Sequence, residues 1–227
     1  MSKMPVEALI FDMDGTMVDS MPWHAKSWVA FCQLHGIQME AAEILRRTTG
    51  RTGVECMVEV FGRPLSEDEA QAYVHEKETL YRDMFSAQFT EVAGFTAFAR
   101  QAAQRGLKIA VGTAGDKHNI AFAMSRLRMD PLPLAIVGGD EGLSGKPTPA
   151  IFLEAARRIG AAPERCIVFE DAPFGIEAAR RGGMQAVAIC STHTPEELAG
   201  PHVMAAVRDF NELVQSKFLE KLDVAIA

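Results

Sequence analysis

The chain has 227 residues and a formal net charge of −7 at pH 7, and it is 48% hydrophobic and 23% charged. This length predicts one domain with an insertion or two domains, in a chain of ordinary globular composition. An acidic chain lacks the basic surface that nucleic acids and acidic membranes require, so we expect neither as a partner. The four cysteines form no Cys-x-x-Cys pair and the N-terminus has no long apolar stretch, which predicts reduced thiols and a soluble, cytoplasmic protein.

The first predicted strand, Ala8 to Phe11, ends in two carboxylates, Asp12 and Asp14, and a glycine turn. A short, uninterrupted apolar run is typical of a strand covered on both faces. On an extended backbone the two carboxylates point the same way, about 6 to 7 Å apart at their Cα atoms. Like charges this close repel unless a cation or a proton intervenes. An ordinary Asx turn gives the same pattern, so the choice between the two depends on the rest of the chain.

A helical segment follows the first strand. Residues 20–90 show helical spacing of their apolar side chains and almost no strand-like run. Ser66 followed by Glu69 has the pattern of a capping box, which favours a helix start there. The predicted helices run from near Pro22 to Gly36 and over about residues 40–48, 52–61 and 66–87.

From residue 94 onward, predicted helices alternate with short apolar strands. The predicted helices cover about 94–105, 117–128, 148–159, 173–181 and a C-terminal segment, and the predicted strands cover about 107–111, 134–137, 166–169, 184–189 and 203–207. Strands separated by helices require right-handed crossovers and a parallel sheet. We therefore predict an α/β fold with a doubly wound, Rossmann-like parallel-sheet core, residues 1–16 and 91–227, and an inserted α-helical cap, residues 17–90.

Polar side chains follow the predicted strands at their carboxyl ends, where open parallel sheets bind ligands. Taken singly, each has an ordinary alternative as a helix cap, a turn residue or a solvated lysine. Their joint occurrence at successive strand ends favours one shared site. The residues are Asp12, Asp14, Thr113, Asp140, Glu170 and Asp171, with Lys146 in a nearby loop.

The residue types at these strand ends predict phosphoryl transfer. Asp12 and Asp171 form the sparse oxygen ligand set that Mg²⁺ uses, and no His/Cys cluster in the sequence indicates zinc. With the metal and Lys146 neutralising phosphate charge, the Asp12 carboxylate can attack phosphorus and form an aspartyl-phosphate. Asp14 would protonate the leaving oxygen and later deprotonate the attacking water.

The predicted phosphate grip consists of the Thr113 hydroxyl and the backbone N–H groups at Ala114 and Gly115. The acidic charge of the whole chain does not exclude a phosphorylated substrate, because a metal ion and a lysine can reverse the local field. A small phosphorylated metabolite is therefore the expected partner.

Four segments, in this order, resemble the motifs of the haloacid dehalogenase superfamily, and specifically its branch of sugar-phosphate phosphatases and β-phosphoglucomutases with a helical cap. They are Asp12-Met-Asp14-Gly-Thr16, Val111-Gly-Thr113-Ala-Gly115, Gly145-Lys146-Pro-Thr-Pro149 and Phe169-Glu-Asp171-Ala-Pro-Phe-Gly-Ile176. The resemblance implies Mg²⁺ held by Asp12, the Asp14 backbone carbonyl and Asp171, with Glu170 orienting or ligating the metal. It also implies that Asp12 is the nucleophile and Asp14 the acid/base.

The same resemblance places Thr113 and Lys146 on the phosphate. Family dehalogenases lack an acid at the position of Asp14, so its presence implies phosphate chemistry rather than halide displacement.

The sequence of the predicted cap is compatible with two activities, a sugar-phosphate mutase and a phosphatase. His24 stands where β-phosphoglucomutases have a cap histidine that supports acid/base work, and Lys77 also aligns with that branch. Gly53 stands where the mutase phosphate-binding arginine is expected, with Arg51 two residues earlier, and this departure favours small-sugar phosphatases. His24, Arg51 and Lys77 are thus the predicted substrate-binding residues of the cap.

The expected function is a monomeric, Mg²⁺-dependent phosphatase of small phosphorylated metabolites, with sugar monophosphates as the expected class. A β-phosphoglucomutase-like sugar-phosphate mutase is the first alternative. The second alternative is a catalytically idle binding or regulatory protein on the same fold, against which the acids at positions 12, 14 and 171 argue.

Overall fold

The computed structural model describes residues 5–48 and 51–224. Its sheet strands are β1 (Ala8–Phe11), β2 (Lys108–Gly112), β3 (Ala135–Val137), β4 (Cys166–Glu170), β5 (Gln185–Ile189) and β6 (Val203–Val207). They form a six-stranded sheet in the order β3-β2-β1-β4-β5-β6, in which all neighbours are parallel. The strand order reverses on the two sides of β1, so the switch point lies between β1 and β4.

The helices are α1 (Met21–Leu34), α2 (Ala41–Thr48), α3 (Gly53–Phe61), α4 (Glu67–Ser86), α5 (Phe95–Gln104), α6 (Lys117–Leu127), α7 (Ala150–Arg158), α8 (Pro173–Arg181) and α9 (Phe210–Gln215). Helices α1 to α4 are inserted between β1 and α5, and the later helices alternate with strands. This arrangement is the predicted α/β, doubly wound parallel-sheet fold with an inserted helical cap. Residues 1–4 and 225–227 of the predicted core, and residues 49–50 of the predicted cap, lie outside the described residues.

The sheet is buried on both faces, which explains the uninterrupted apolar run of β1. Phe11 and Phe169, on neighbouring strands, stack with ring centroids 4.6 Å apart on one face. They belong to a cluster that α5 and α9 complete with Phe95, Phe98 and Phe210. The opposite face holds a second apolar cluster with α7 and α8. Residues at the carboxyl end of β1 are therefore fixed from both sides.

The cap helices have an apolar cluster of their own, which includes Trp28, Phe31, Ile44, Met57 and Val60. This cluster explains why a helical block can be stable as an insertion beside the sheet. Among the described residues, no helix combines the length and the apolar content needed to cross a membrane.

Two of the cap helices begin at capping residues. The predicted box at Ser66 is half formed: the Ser66 hydroxyl accepts from the backbone N–H of Glu69, whereas the Glu69 carboxylate binds Arg63. A capping box that the sequence analysis overlooked opens α3. There the Glu55 carboxylate accepts from both the backbone N–H and the hydroxyl of Thr52.

Candidate active site

The carboxyl edge of the sheet and the cap enclose a cavity of about 360 Å³. Asp12 directly follows β1, and Glu170 and Asp171 end β4 on the other side of the switch point. Every residue predicted for the site lies in the wall of this cavity. These residues are Asp12, Asp14, His24, Arg51, Lys77, Thr113, Ala114, Gly115, Lys146, Glu170 and Asp171.

Three buried carboxylates meet at the switch point. One oxygen each of Asp12, Glu170 and Asp171 lies within 4.8 Å of the other two. Burial, against the opposing effect of Lys146, raises the pKa of Asp12 to about 7. Burial and the adjacent Glu170 and Asp12 also raise the pKa of Asp171 well above its ordinary value. When the three acids are ionised, their negative charge exceeds the positive charge of the Lys146 ammonium. Carboxylate oxygens are hard ligands, so this cluster fits a divalent cation such as Mg²⁺.

Lys146 is the cation within this acidic cluster. Its Nζ donates to Asp12 Oδ1 at 2.5 Å and to Glu170 Oε1 at 2.6 Å. Burial would lower the pKa of Lys146, but the two carboxylates outweigh it and hold that pKa above its ordinary value. The second Glu170 oxygen accepts from the Ala172 backbone N–H at 2.7 Å. Glu170 is therefore fixed between Lys146 and the start of α8.

Two glycines make room for these carboxylates. Gly15 has φ +79°, and a Cβ built there would lie 2.2 Å from Asp171 Oδ2. A Cβ at Gly175, in α8, would lie 1.8 Å from Glu170 Oε1. Any larger residue would displace the acid that it faces. Both glycines stand inside motifs identified in the sequence.

The loop after β5 supplies contacts that the sequence analysis missed. Thr192 Oγ1 donates to Asp171 Oδ2 at 2.5 Å, and Ser191 Oγ donates to the Gly15 carbonyl oxygen at 2.5 Å. No motif marks this loop. Its position at the carboxyl end of the strand next to β4 is the signal that would have identified it.

Three hydrogen-bonding side chains contact the Asp14 carboxylate, which lies outside the cluster of Asp12, Glu170 and Asp171. Its Oδ1 accepts from Ser20 Oγ at 2.7 Å and lies 3.2 Å from His24 Nε2 and 3.3 Å from the Tyr81 hydroxyl. Burial would raise the pKa of Asp14, but His24 and then Ser20 hold it below its ordinary value. Ser20 and Tyr81 could not be recognised in the sequence as partners of Asp14, because their role depends on how α1 and α4 pack against the turn after β1.

Lys77 fixes the orientation of the His24 ring. Its Nζ lies 2.8 Å from His24 Nδ1, and the Tyr81 ring stacks on the imidazole with centroids 3.8 Å apart. Because an ammonium can only donate, Nδ1 accepts from Lys77 and Nε2 carries the proton that faces Asp14. The two cap residues predicted to bind substrate therefore also form a chain of contacts to Asp14.

An internal hydrogen bond holds the turn after β2. The Gly115 backbone N–H donates to Thr113 Oγ1 at 3.0 Å, and Thr113 is buried. Asp116 then caps α6 by accepting from the Asn119 backbone N–H at 2.8 Å. Asp140, from the loop after β3, accepts from the Lys117 backbone N–H and lines the cavity beside this turn.

Arg51 lies at the cap side of the cavity. Its Nη1 is 3.2 Å from Glu59 Oε1, so its charge is already paired within the cap. Because both residues of this ion pair are partly exposed, Arg51 can exchange Glu59 for an anionic ligand at modest cost.

Known proteins of similar sequence include phosphatases. Residues 6–183 match the family model described as haloacid dehalogenase-like hydrolase. The chain is 31% identical over 206 residues to a validoxylamine A 7'-phosphate phosphatase of Streptomyces hygroscopicus subsp. limoneus, covering 90% of this chain and 94% of the relative. It is 32% identical over 181 residues to the fructose-1-phosphate phosphatase YqaB of Escherichia coli (strain K12), covering 79% of this chain and 94% of the relative.

Solved structures show the same fold. A hydrolase from Pseudomonas syringae superposes with a TM-score of 0.84 at 25% identity, covering 96% of this chain and all of that one. A β-phosphoglucomutase from Clostridium difficile superposes with a TM-score of 0.80 at 25% identity, covering 95% and 98% of the two chains. The resemblance predicted from the four motifs is thus confirmed. The chain belongs to the haloacid dehalogenase-like hydrolase family, as a phosphoric monoester hydrolase.

Proposed function

We propose that the protein is a Mg²⁺-dependent phosphatase of small phosphorylated metabolites, with sugar monophosphates as its substrate class, and that it acts through an aspartyl-phosphate on Asp12. The observation that carries this proposal is the buried cluster of Asp12, Lys146, Glu170 and Asp171 at the switch point, inside a cavity that Asp14 also lines. The phosphatases among the relatives support the choice of reaction.

In the first step, a carboxylate oxygen of Asp12 forms a bond to phosphorus while the bond from phosphorus to the leaving oxygen breaks. Asp14, in the protonated form that the second step regenerates, gives its proton to that leaving oxygen, which departs as an alcohol. Lys146 binds Asp12 at 2.5 Å and so fixes the nucleophile for attack. The Thr113 hydroxyl and the Ala114 N–H would hold the phosphoryl oxygens, and the Gly115 N–H would join them by exchanging its present acceptor, Thr113 Oγ1, for the phosphoryl group.

In the second step, Asp14 takes a proton from a water molecule, which attacks phosphorus and releases inorganic phosphate and the free Asp12 carboxylate. His24 and Ser20 stabilise the charged form of Asp14, which is the form that accepts this proton. Asp12, Asp171 and the Asp14 carbonyl would hold Mg²⁺ with Glu170 beside it, and the bound ion would supply positive charge to the phosphoryl oxygens.

In the described part of the chain, the two predicted regions contribute different residues to the site: a core, residues 1–16 and 91–227, and a cap, residues 17–90. The core carries the acids and Lys146, whereas the cap contributes His24, Arg51 and Lys77 to the far wall of the cavity. A volume of about 360 Å³ accommodates a leaving group the size of a monosaccharide. The cap would exclude bulk water from the reaction and select that leaving group.

A panel of phosphorylated metabolites, assayed for released inorganic phosphate with Mg²⁺ and with a chelator, tests the proposal. We expect Mg²⁺-dependent release from sugar monophosphates, and none from the Asp12→Asn variant when its circular dichroism spectrum is that of the wild type. Conversion of a hexose 1-phosphate into a hexose 6-phosphate without release of phosphate would instead identify a mutase. Absence of both activities across the panel would contradict enzymatic function.

A further inference from the structure

The polar contacts that begin at Asp14 continue past Lys77 and across the boundary between cap and core. Lys77 Nζ donates to Glu78 Oε1 at 2.8 Å, and Glu78 Oε2 accepts from Asn119 Nδ2 at 2.7 Å. Lys77 and Glu78 belong to cap helix α4, whereas Asn119 lies in the first turn of core helix α6. Lys77 and Asn119 are each 2% exposed, so these contacts are shielded from solvent.

Both ends of the Asn119 amide bind α4. While Nδ2 donates to Glu78, Oδ1 accepts from Arg82 Nη1 at 2.8 Å, one helical turn further along α4. The opposite orientation of the amide would place its N–H₂ group against a guanidinium and its oxygen against a carboxylate. Only the observed orientation satisfies all three groups. Arg82 is itself held by Thr79 Oγ1 at 3.0 Å.

Asn119 is also fixed on the core side. Its backbone N–H donates to the N-cap residue Asp116 at 2.8 Å, and α6 begins directly after the Thr113 to Gly115 turn. Because the backbone that carries it is anchored in this way, the Asn119 side chain gives α4 a rigid docking point next to the proposed phosphate grip.

Glu78 provides the counter-charge of Lys77 inside the protein. Burial would raise the pKa of the Glu78 carboxyl, but Lys77 outweighs burial, aided by His24 and Asn119, and holds that pKa below its ordinary value. The paired carboxylate sets where the Lys77 ammonium lies, 2.8 Å from His24 Nδ1. A buried ammonium that lost this partner would have to move toward water or lose its proton.

We propose that Glu78 and Asn119 are positioning residues for the reaction: their hydrogen bond docks α4 on the first turn of α6 and so holds Lys77 and His24 against Asp14. This inference rests on the proposed function, because it concerns the proton transfer assigned to Asp14. Lys77 and His24 both belong to the cap, whereas Asp14 belongs to the core, so the contact between His24 and Asp14 depends on how the cap is seated.

Two substrates separate a positioning role from a merely structural one. A sugar monophosphate has a strongly basic leaving oxygen that needs a proton from Asp14, whereas p-nitrophenyl phosphate has a weakly basic leaving group that departs without one. The variants Glu78→Gln and Asn119→Asp should lower kcat/KM for the sugar monophosphate about 10- to 100-fold. With p-nitrophenyl phosphate the loss should stay below about threefold.

The exchanged pair Glu78→Gln with Asn119→Asp is the decisive variant. The amide introduced on α4 can donate to the carboxylate introduced on α6, and that carboxylate can still accept from Arg82. The docking contact is thus restored with its donor and acceptor reversed. The double variant should therefore be more active on the sugar monophosphate than Asn119→Asp alone. The matched control is Asp83→Asn, an exposed position of α4, which should behave as the wild type with both substrates.

Equal losses with the two substrates, no loss with either, or losses that multiply in the double variant would each overturn the positioning role. Thermal unfolding of every variant identifies one that merely fails to fold, and the double variant then decides. A wild-type protein that releases phosphate from neither substrate would overturn the proposed function, and the inference with it. An active wild type with unaffected variants would overturn the inference alone.

Discussion

Lys146 Nζ lies 2.5 Å from Asp12 Oδ1, although the two residues are 134 positions apart in the sequence and both are buried. The contact joins the carboxylate after β1 to the loop between β3 and α7. It also places a cation between Asp12 and Glu170, so one side chain orders the proposed nucleophile and offsets the charge of the acidic cluster.

Replacing Lys146 tests how much this cation contributes. We expect Lys146→Ala to lower kcat about 100- to 1,000-fold, because a preorganised donor to the nucleophile and the phosphate is lost. Without Mg²⁺ the variant should also unfold at a lower temperature than the wild type, since three buried carboxylates lose their ammonium. The control is Lys221→Ala, which removes an exposed lysine. Wild-type kcat in Lys146→Ala would show that the lysine has no role in the reaction.

Gly15→Ala should impair metal binding as well as stability. Its φ of +79° costs a non-glycine residue about 1–2 kcal/mol, and its Cβ would also displace the Asp171 carboxylate. Gly106→Ala is a matched control, because Gly106 has φ +83° and nothing within 4 Å of a Cβ. Both variants should lose stability in chemical denaturation, but only Gly15→Ala should need more Mg²⁺ for half-maximal activity. The same Mg²⁺ requirement in both would exclude the steric effect on Asp171.

Thr192→Val should weaken Mg²⁺ binding while leaving the fold intact. The Thr192 hydroxyl donates to Asp171 Oδ2 at 2.5 Å, and loss of a residue that orients a metal ligand typically costs about 10- to 100-fold in affinity. Titration of activity with Mg²⁺ measures the change. Thr192→Ser, which keeps the hydroxyl, should remain close to the wild type; if the Ser and Val variants are equally impaired, the hydrogen bond is not the cause.

Mg²⁺ should stabilise the protein against heat even without substrate. A cation bound among Asp12, Glu170 and Asp171 relieves their mutual repulsion in the folded state and has no such site in the unfolded chain. Thermal unfolding with increasing Mg²⁺ should show a rising Tm for the wild type and a much smaller rise for Asp171→Asn. An equal rise in both would mean that the ion stabilises the protein elsewhere.

The sequence predicted what depends on local pattern and on sheet topology. Apolar runs and helical spacing predicted the strands and helices. The carboxyl ends of parallel strands meet at one edge of a sheet, which predicted that Asp12, Thr113 and Asp171 lie close together, and all three line one cavity. Gly15 was recognisable because a motif contains it, although the reason for it, its approach to Asp171, appeared only in the structure.

The local sequence pattern could not predict contacts between elements that are far apart in the sequence. Tyr81 reaches Asp14 from 67 residues away, and Asn119 reaches Glu78 from 41 residues away. Nothing in the surrounding sequence distinguishes these residues from ordinary helical ones, because their roles arise from how α4 packs on the core. Glu69 shows the same limit at short range, since its carboxylate binds Arg63 instead of closing the predicted capping box.

The most direct test of the mechanism is a rapid-quench experiment with a ³²P-labelled sugar monophosphate and Mg²⁺. Acid quenching of the wild-type enzyme in the first turnover should trap protein-bound label that hydroxylamine releases, as expected for an acyl phosphate, and Asp12→Asn should trap none. Phosphate release by the wild type with no trapped label at any quench time, or equal labelling of Asp12→Asn, would contradict an aspartyl-phosphate on Asp12.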